Sequence, residues 1–143
     1  MTAFNMHIIS NALEINAPSL ARAYTATIKE MAEDYEQRGL LRKILKFSGD
    51  ENEQVITYAE LAITLKGTYR FVFRDTKMFL KWTFKHDQND ETQDVLTMLI
   101  DDDGIIFVGD IDSGEVLNYN EGNLAFKIFE RITKAAYDNK LFY

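Results

Sequence analysis

At 143 residues, with 46% apolar and 13% aromatic side chains, the chain has the length of one domain and enough to bury that intrinsic disorder is excluded. A net charge of −7, from 23 acidic and 16 basic residues, disfavours unselective attraction to nucleic acid or to an anionic membrane. The absence of cysteine excludes disulfides, a thiolate nucleophile and cysteine-ligated metal centres, and no window approaches the ~20 apolar residues of a membrane span.

Met1 to His7 lacks a basic segment followed by an apolar run, so no secretory signal is expected and the chain is placed in the cytoplasm. Phe4 to Ile15 is mixed in character and reads as an edge strand or an extended lead-in. Asn16-Ala17-Pro18 then offers a capping side chain and a proline suited to a first helical turn. Leu20, Tyr24, Ile28, Met31 and Tyr35 follow at the spacing of one helix face, and Arg38-Gly39 reads as a cationic last turn with a left-handed stop. Leu40 to Phe47 reads as a second short helix or a first strand.

From Val55 the period changes to two. Val55 to Leu65, Thr68 to Arg74 and Lys77 to Lys85 are rich in β-branched and aromatic residues, and Lys66-Gly67 and Asp75-Thr76 separate them, which predicts a three-stranded meander. Asp87 to Asp94 is almost wholly polar and reads as a solvated loop. Val95 to Ile100 and Ile105 to Val108 form a further hairpin around Asp101-Asp102-Asp103-Gly104. Finally Asn123 is placed to cap a helix whose stripe is Leu124, Ile128, Ile132 and Ala135, widened by Ala125, Phe129 and Ala136. The expected fold is a single α+β domain over residues 1–143. An antiparallel sheet of about five or six strands is packed by an N-terminal helix and a long C-terminal helix.

Few residues invite chemistry. Glycine-rich phosphate loops, Gly-x-Ser-x-Gly and His-Glu-x-x-His are absent. His7 and His86 lie far apart in the chain, and His86, between Lys85 and Asp87, reads as a solvated flank. Asp101, Asp102 and Asp103 together with Asp110, Asp112 and Glu115 are rich in oxygen ligands. They lack the spacing of a calcium loop, and the strand between them holds the two runs more than about 15 Å apart, so no metal and no cofactor is expected.

The aromatic residues read as core. A two-residue turn at Asp75-Thr76 puts Tyr69, Phe71, Phe73, Met78, Leu80, Trp82 and Phe84 on one face, under the helices. The same register opposes Lys66 to Lys85, Arg70 to Lys81 and Arg74 to Lys77 on the other face, with Thr68–Thr83 and Val72–Phe79 between them. Facing like charges cost on the order of 0.2–1 kcal/mol per pair, so the ladder calls for anions. Two sources are open. Glu30, Glu33, Asp34, Glu60 or the acidic stretch from Asp87 to Asp94 neutralise it internally, or an external acidic protein surface, nucleic acid or anionic ligand does, with Phe79 as an aromatic anchor.

Leu141-Phe142-Tyr143 is an aromatic end that either folds back on the sheet or docks in a groove of another protein. The leading expectation is therefore a non-enzymatic interaction protein, of the kind found among regulators, inhibitors, adaptors and phage-type proteins. Its partner is expected to be a protein with an acidic surface, bound through Lys66, Arg70, Arg74, Lys77, Phe79, Lys81 and Lys85 or through Leu141, Phe142 and Tyr143. Nucleic acid and membrane are not expected partners, and a homo-oligomer is compatible. The alternative is a carrier of a small apolar ligand between the aromatic face and the C-terminal helix. A carboxylate-based enzyme comes third.

Overall fold

In the computed structural model, which describes residues 5–88, 90–118 and 123–142, the chain opens with helices. Phe4 lies outside the described residues, but the segment after it, expected as a strand or extended lead-in, is helical. Helix α1, Met6–Asn11, is capped by Asn5, whose side chain accepts from the His7 amide at 2.8 Å. A π turn, Ala12–Asn16, joins it directly to α2, Ala17–Gln37. Asn16 is helical and caps nothing, contrary to expectation. The proline explains the irregularity. Pro18 has no N–H and its ring collides with the carbonyl four residues back, and the wider turn just upstream is where the helix accommodates it.

The stripe of α2 is as predicted: Leu20, Tyr24, Ile28 and Met31 are buried and Tyr35 is half-buried. Its end differs. Gly39 does not adopt a left-handed conformation; Arg38 breaks the helix by one extended residue, and Gly39 starts α3, Gly39–Ile44. The Arg38 side chain holds that break. Nε bonds Asp34 at 2.7 Å, Nη2 donates to Asn123 at 3.0 Å, and the guanidinium lies 4.6 Å from the Phe126 ring centre. Both readings of Leu40 to Phe47 therefore apply in turn, because β1, Lys46–Gly49, follows α3.

Seven strands, rather than five or six, make one antiparallel, curled sheet in the order of the sequence. After β1 come β2 (Gln54–Tyr58), β3 (Ile63–Arg74), β4 (Lys77–Gln88), β5 (Glu91–Ile100), β6 (Ile106–Val108) and β7 (Val116–Leu117). The first turn of the expected meander is displaced. It lies at Ala59 to Ala62, a helical turn ending with Ala62 left-handed at φ 56°, while Lys66-Gly67 continues through β3. Gly67 is there for space: a Cβ on it would come within 2.6 Å of both the Phe84 ring and Gln54 Oε1. The acidic stretch is likewise no loop. Asp87 and Gln88 end β4 and Glu91 to Asp94 begin β5, as an exposed two-stranded ribbon.

Helix α4, Leu124–Asp138, buries every residue of its predicted stripe. Asn123 does not cap it; its backbone is left-handed and its side chain serves Arg38. The far end closes on a left-handed Lys140, with Lys140 N–H to Tyr137 O at 2.9 Å and Leu141 N–H to Ala136 O at 3.1 Å, the paired bonds of a Schellman stop.

Both long helices cover the aromatic face, as expected. Beneath α2, Gln54 is fully buried and joins three elements. Its Nε2 donates to Tyr24 Oη at 2.5 Å and to the Asp50 carbonyl at 2.6 Å, while Trp82 Nε1 donates to its Oε1 at 2.8 Å. Tyr58 Oη bonds Thr133 Oγ1 at 2.7 Å and so ties the sheet to α4. No helix among the described residues is long and apolar enough to cross a membrane.

Candidate functional site

The predicted register of β3 and β4 is realised pair for pair. Lys66 faces Lys85, Thr68 faces Thr83, Arg70 faces Lys81, Val72 faces Phe79 and Arg74 faces Lys77. These residues share the outer face of the sheet, because side chains alternate along a strand and the helices occupy the aromatic side. Six cations thus stand in three rungs on a protein of net charge −7.

Three of the six have carboxylate partners within the chain. Arg74 Nε lies 3.3 Å from Asp110, Lys77 Nζ 3.9 Å from Asp102, and Lys85 Nζ 3.8 Å from Asp94. Asp94 belongs to the acidic stretch considered as a neutraliser. It reaches Lys85 through a bulge: Phe84 pairs with Leu96 but Lys85 pairs with Asp94, so Val95 is the extra residue. The other neutralisers considered do not serve. Asp34 is paired with Arg38, and Glu30, Glu33 and Glu60 are exposed without a partner on the ladder among the described residues. Asp102 and Asp110 take their place. The loop after β6 folds back over the outer face to bring Asp110 to Arg74; the Ile111 amide donating to its carboxylate, with Arg74 beside it, holds that carboxyl below its ordinary range.

Among the described residues no carboxylate pairs with Lys66, Arg70 or Lys81. Arg70 and Lys81, but not Lys66, line a groove of about 300 Å³ together with Thr68, Tyr69, Thr83, Lys85 and Asp94. Hydroxyls and unpaired cations are donors, so the groove presents donors to an anion.

Phe79 is not an exposed anchor. It is 4% exposed, edge-on to Phe107 at 6.3 Å with Lys77 Nζ 5.2 Å from its ring centre, and beside it Leu99 is fully buried on the same outer face. Its neighbours on β5 and β6, not visible from the β3–β4 pairing alone, close over it. The aromatic end folds back: Leu141 and Phe142 are half-buried against the core, and the Phe142 ring centre lies 5.0 Å from that of Tyr58. Tyr143 lies outside the described residues.

His86 continues the inward row of β4 and is 7% exposed, not a solvated flank; its Nδ1–H donates to the Thr64 carbonyl at 3.2 Å. Asp101, Asp102 and Asp103 place oxygens within 4.8 Å of one another. Asp101 Oδ1 there accepts the amides of Asp103 and Ile105 and so builds the hairpin turn, and Asp102 is drawn to Lys77. Between the sheet and α4, where the alternative expectation placed an apolar ligand, Trp82, Phe84, Ile128 and Phe129 are fully buried.

Compared with protein-family models, with curated proteins and with solved structures, the chain matches none of them.

Proposed function

We propose that this protein is a non-enzymatic binding domain of the cytoplasm that takes an acidic partner protein on the outer face of its sheet, at Lys66, Arg70 and Lys81. One observation carries the reading: a cross-strand Arg70–Lys81 pair, and Lys66 on the same face, have no carboxylate at ion-pair distance among the described residues, while the three other cations of the ladder each have one. Folding alone does not reward that arrangement. A ligand carboxylate does, by charge-assisted hydrogen bonds to the guanidinium and ammonium. The chain's overall acidity adds selectivity, since it repels polyanions that miss the patch.

The test compares wild type with the triple variant Lys66→Gln, Arg70→Gln, Lys81→Gln in binding poly-L-glutamate and a duplex DNA oligonucleotide. Wild type is expected to bind polyglutamate in a salt-sensitive way, and the triple variant to bind it at least about tenfold more weakly. Equal binding by the two proteins would overturn the assignment of the face. Tighter binding of DNA than of polyglutamate would overturn the assignment of the partner.

A further inference from the structure

The sheet has an opening in its middle. β2 pairs with β3 only from Ile63 to Gly67, since Gln54, opposite Gly67, is its first residue and the chain before it turns away into β1 through Asp50 to Glu53. Beyond Gly67, β3 runs on from Thr68 to Arg74, paired with β4 on one side. On the other side no strand accompanies it among the described residues. This seven-residue edge, about 23 Å at ~3.3 Å each, turns the N–H and C=O groups of alternate residues away from β4; the Phe73 carbonyl accepts from Arg74 Nη1 at 3.2 Å, and no strand meets the others among the described residues.

The side chains along this edge differ by face. Outward stand Thr68, Arg70, Val72 and Arg74, with Lys81 directly behind Arg70. Inward stand Tyr69, Phe71 and Phe73, all half-buried and continuous with the core, with Tyr24 4.7 Å from Tyr69. A second copy of the chain is a poor occupant. Antiparallel self-pairing about a two-fold axis near Val72 brings Arg70 and Arg74 of one edge against those of the other, the charge device by which edges resist self-association. An edge charged in this way accepts a strand of opposite sign.

We propose that the Thr68 to Arg74 edge of β3 receives an extended segment of the partner protein as an added strand, and that the segment alternates acidic with apolar residues. Its backbone completes the ladder. Its acidic side chains meet Arg70 and Lys81 on the outer face, and its apolar side chains extend the Tyr69, Phe71, Phe73 row on the inner one. The proposal rests on the acidic-partner reading above and specifies how that partner is held.

The experiment uses the full chain and labelled synthetic peptides of equal composition: alternating Glu-Val, the same residues as a Glu block followed by a Val block, and two alternating peptides N-methylated on either the Glu or the Val amides. Fluorescence anisotropy gives affinities, and amide hydrogen exchange reports on residues 68–74. The alternating peptide is expected to bind about tenfold more tightly than the block peptide, and one methylated set to lose that advantage while the other keeps it, because only alternate amides face the edge. Exchange at residues 68–74 is expected to slow on binding. If alternating and block peptides bind equally and both are weakened by Arg70→Gln, strand addition is wrong and the acidic-partner reading survives. If no peptide binds and polyglutamate also fails, both are wrong.

Discussion

Reversal of one charge in the ladder measures whether its repulsion is real. In the isolated protein Lys81→Glu turns the Arg70–Lys81 rung from repulsive to attractive. Directly opposed pairs differ from neutral ones by roughly 0.2–1 kcal/mol, and because Arg70 is exposed and Lys81 half-buried the lower part of that range applies. One opposing effect is present. Lys81 helps to keep Asp110 ionised, but the Ile111 amide and Arg74 do more, so its loss is the smaller influence. The net expectation is a gain of about 0.5 kcal/mol, with Lys81→Gln gaining roughly half as much because it removes repulsion without adding attraction. Urea midpoints of the three proteins at low and high salt are the assay, and the differences are expected to shrink as salt screens them. A reversed variant less stable than wild type, in a salt-dependent manner, would mean that Lys81 already has its anion, and the outer face would lose its claim to a partner.

Ile28→Ala, at a position 6% exposed on α2, is expected to cost about 2–4 kcal/mol by chemical denaturation. Gln54→Leu removes the acceptor of Trp82 Nε1 and the donor to Tyr24 Oη, both buried, and is expected to cost about 2–4 kcal/mol with a blue-shifted Trp82 fluorescence lost at lower denaturant. Tyr58 is pushed up to about 12 by burial, and burial moves Tyr24 the same way. A raised folded pKa means that stability is complete below the ordinary value of 10.0 and is lost as pH climbs from there through about 12, so urea midpoints are expected to fall over that window and to fall less steeply in Tyr58→Phe. Lys140→Gly relieves a left-handed side chain at the Schellman stop and is expected to raise stability by up to about 1 kcal/mol, read as a higher melting temperature.

Much of this molecule was legible in the sequence wherever periodicity met a conventional turn. The helix stripes of Leu20 to Met31 and Leu124 to Ala136 and the register through Asp75-Thr76 all rest on side-chain spacing, which burial enforces. The errors share a cause: a residue's usual local role was overruled by a contact distant in sequence. Gly67 reads as a turn, yet it is required by Phe84 and Gln54; Asn123 reads as a cap, yet it answers Arg38, 85 residues away. Ala62 makes a left-handed turn with no glycine or asparagine to announce it. The charge ladder was visible from the strand pattern alone. Its partial neutralisation by Asp102 and Asp110 was not, because it depends on where the β5–β6 turn and the loop after β6 bring those two carboxylates.

The sheet order has a kinetic meaning. Every strand pairs only with its neighbours in sequence, so each ladder closes over a short connection and carries little entropic penalty for its formation. Sheets are ordinarily slow to assemble because their pairings are distant, and this one is not built that way. The long-range closure falls to the clasp between α2 and α4, where the Arg38 to Asn123 bond spans 85 residues. The meander is thus free to zip from its β3–β4 hairpin outward, and the search that remains is for two helices to find each other across a sheet already formed.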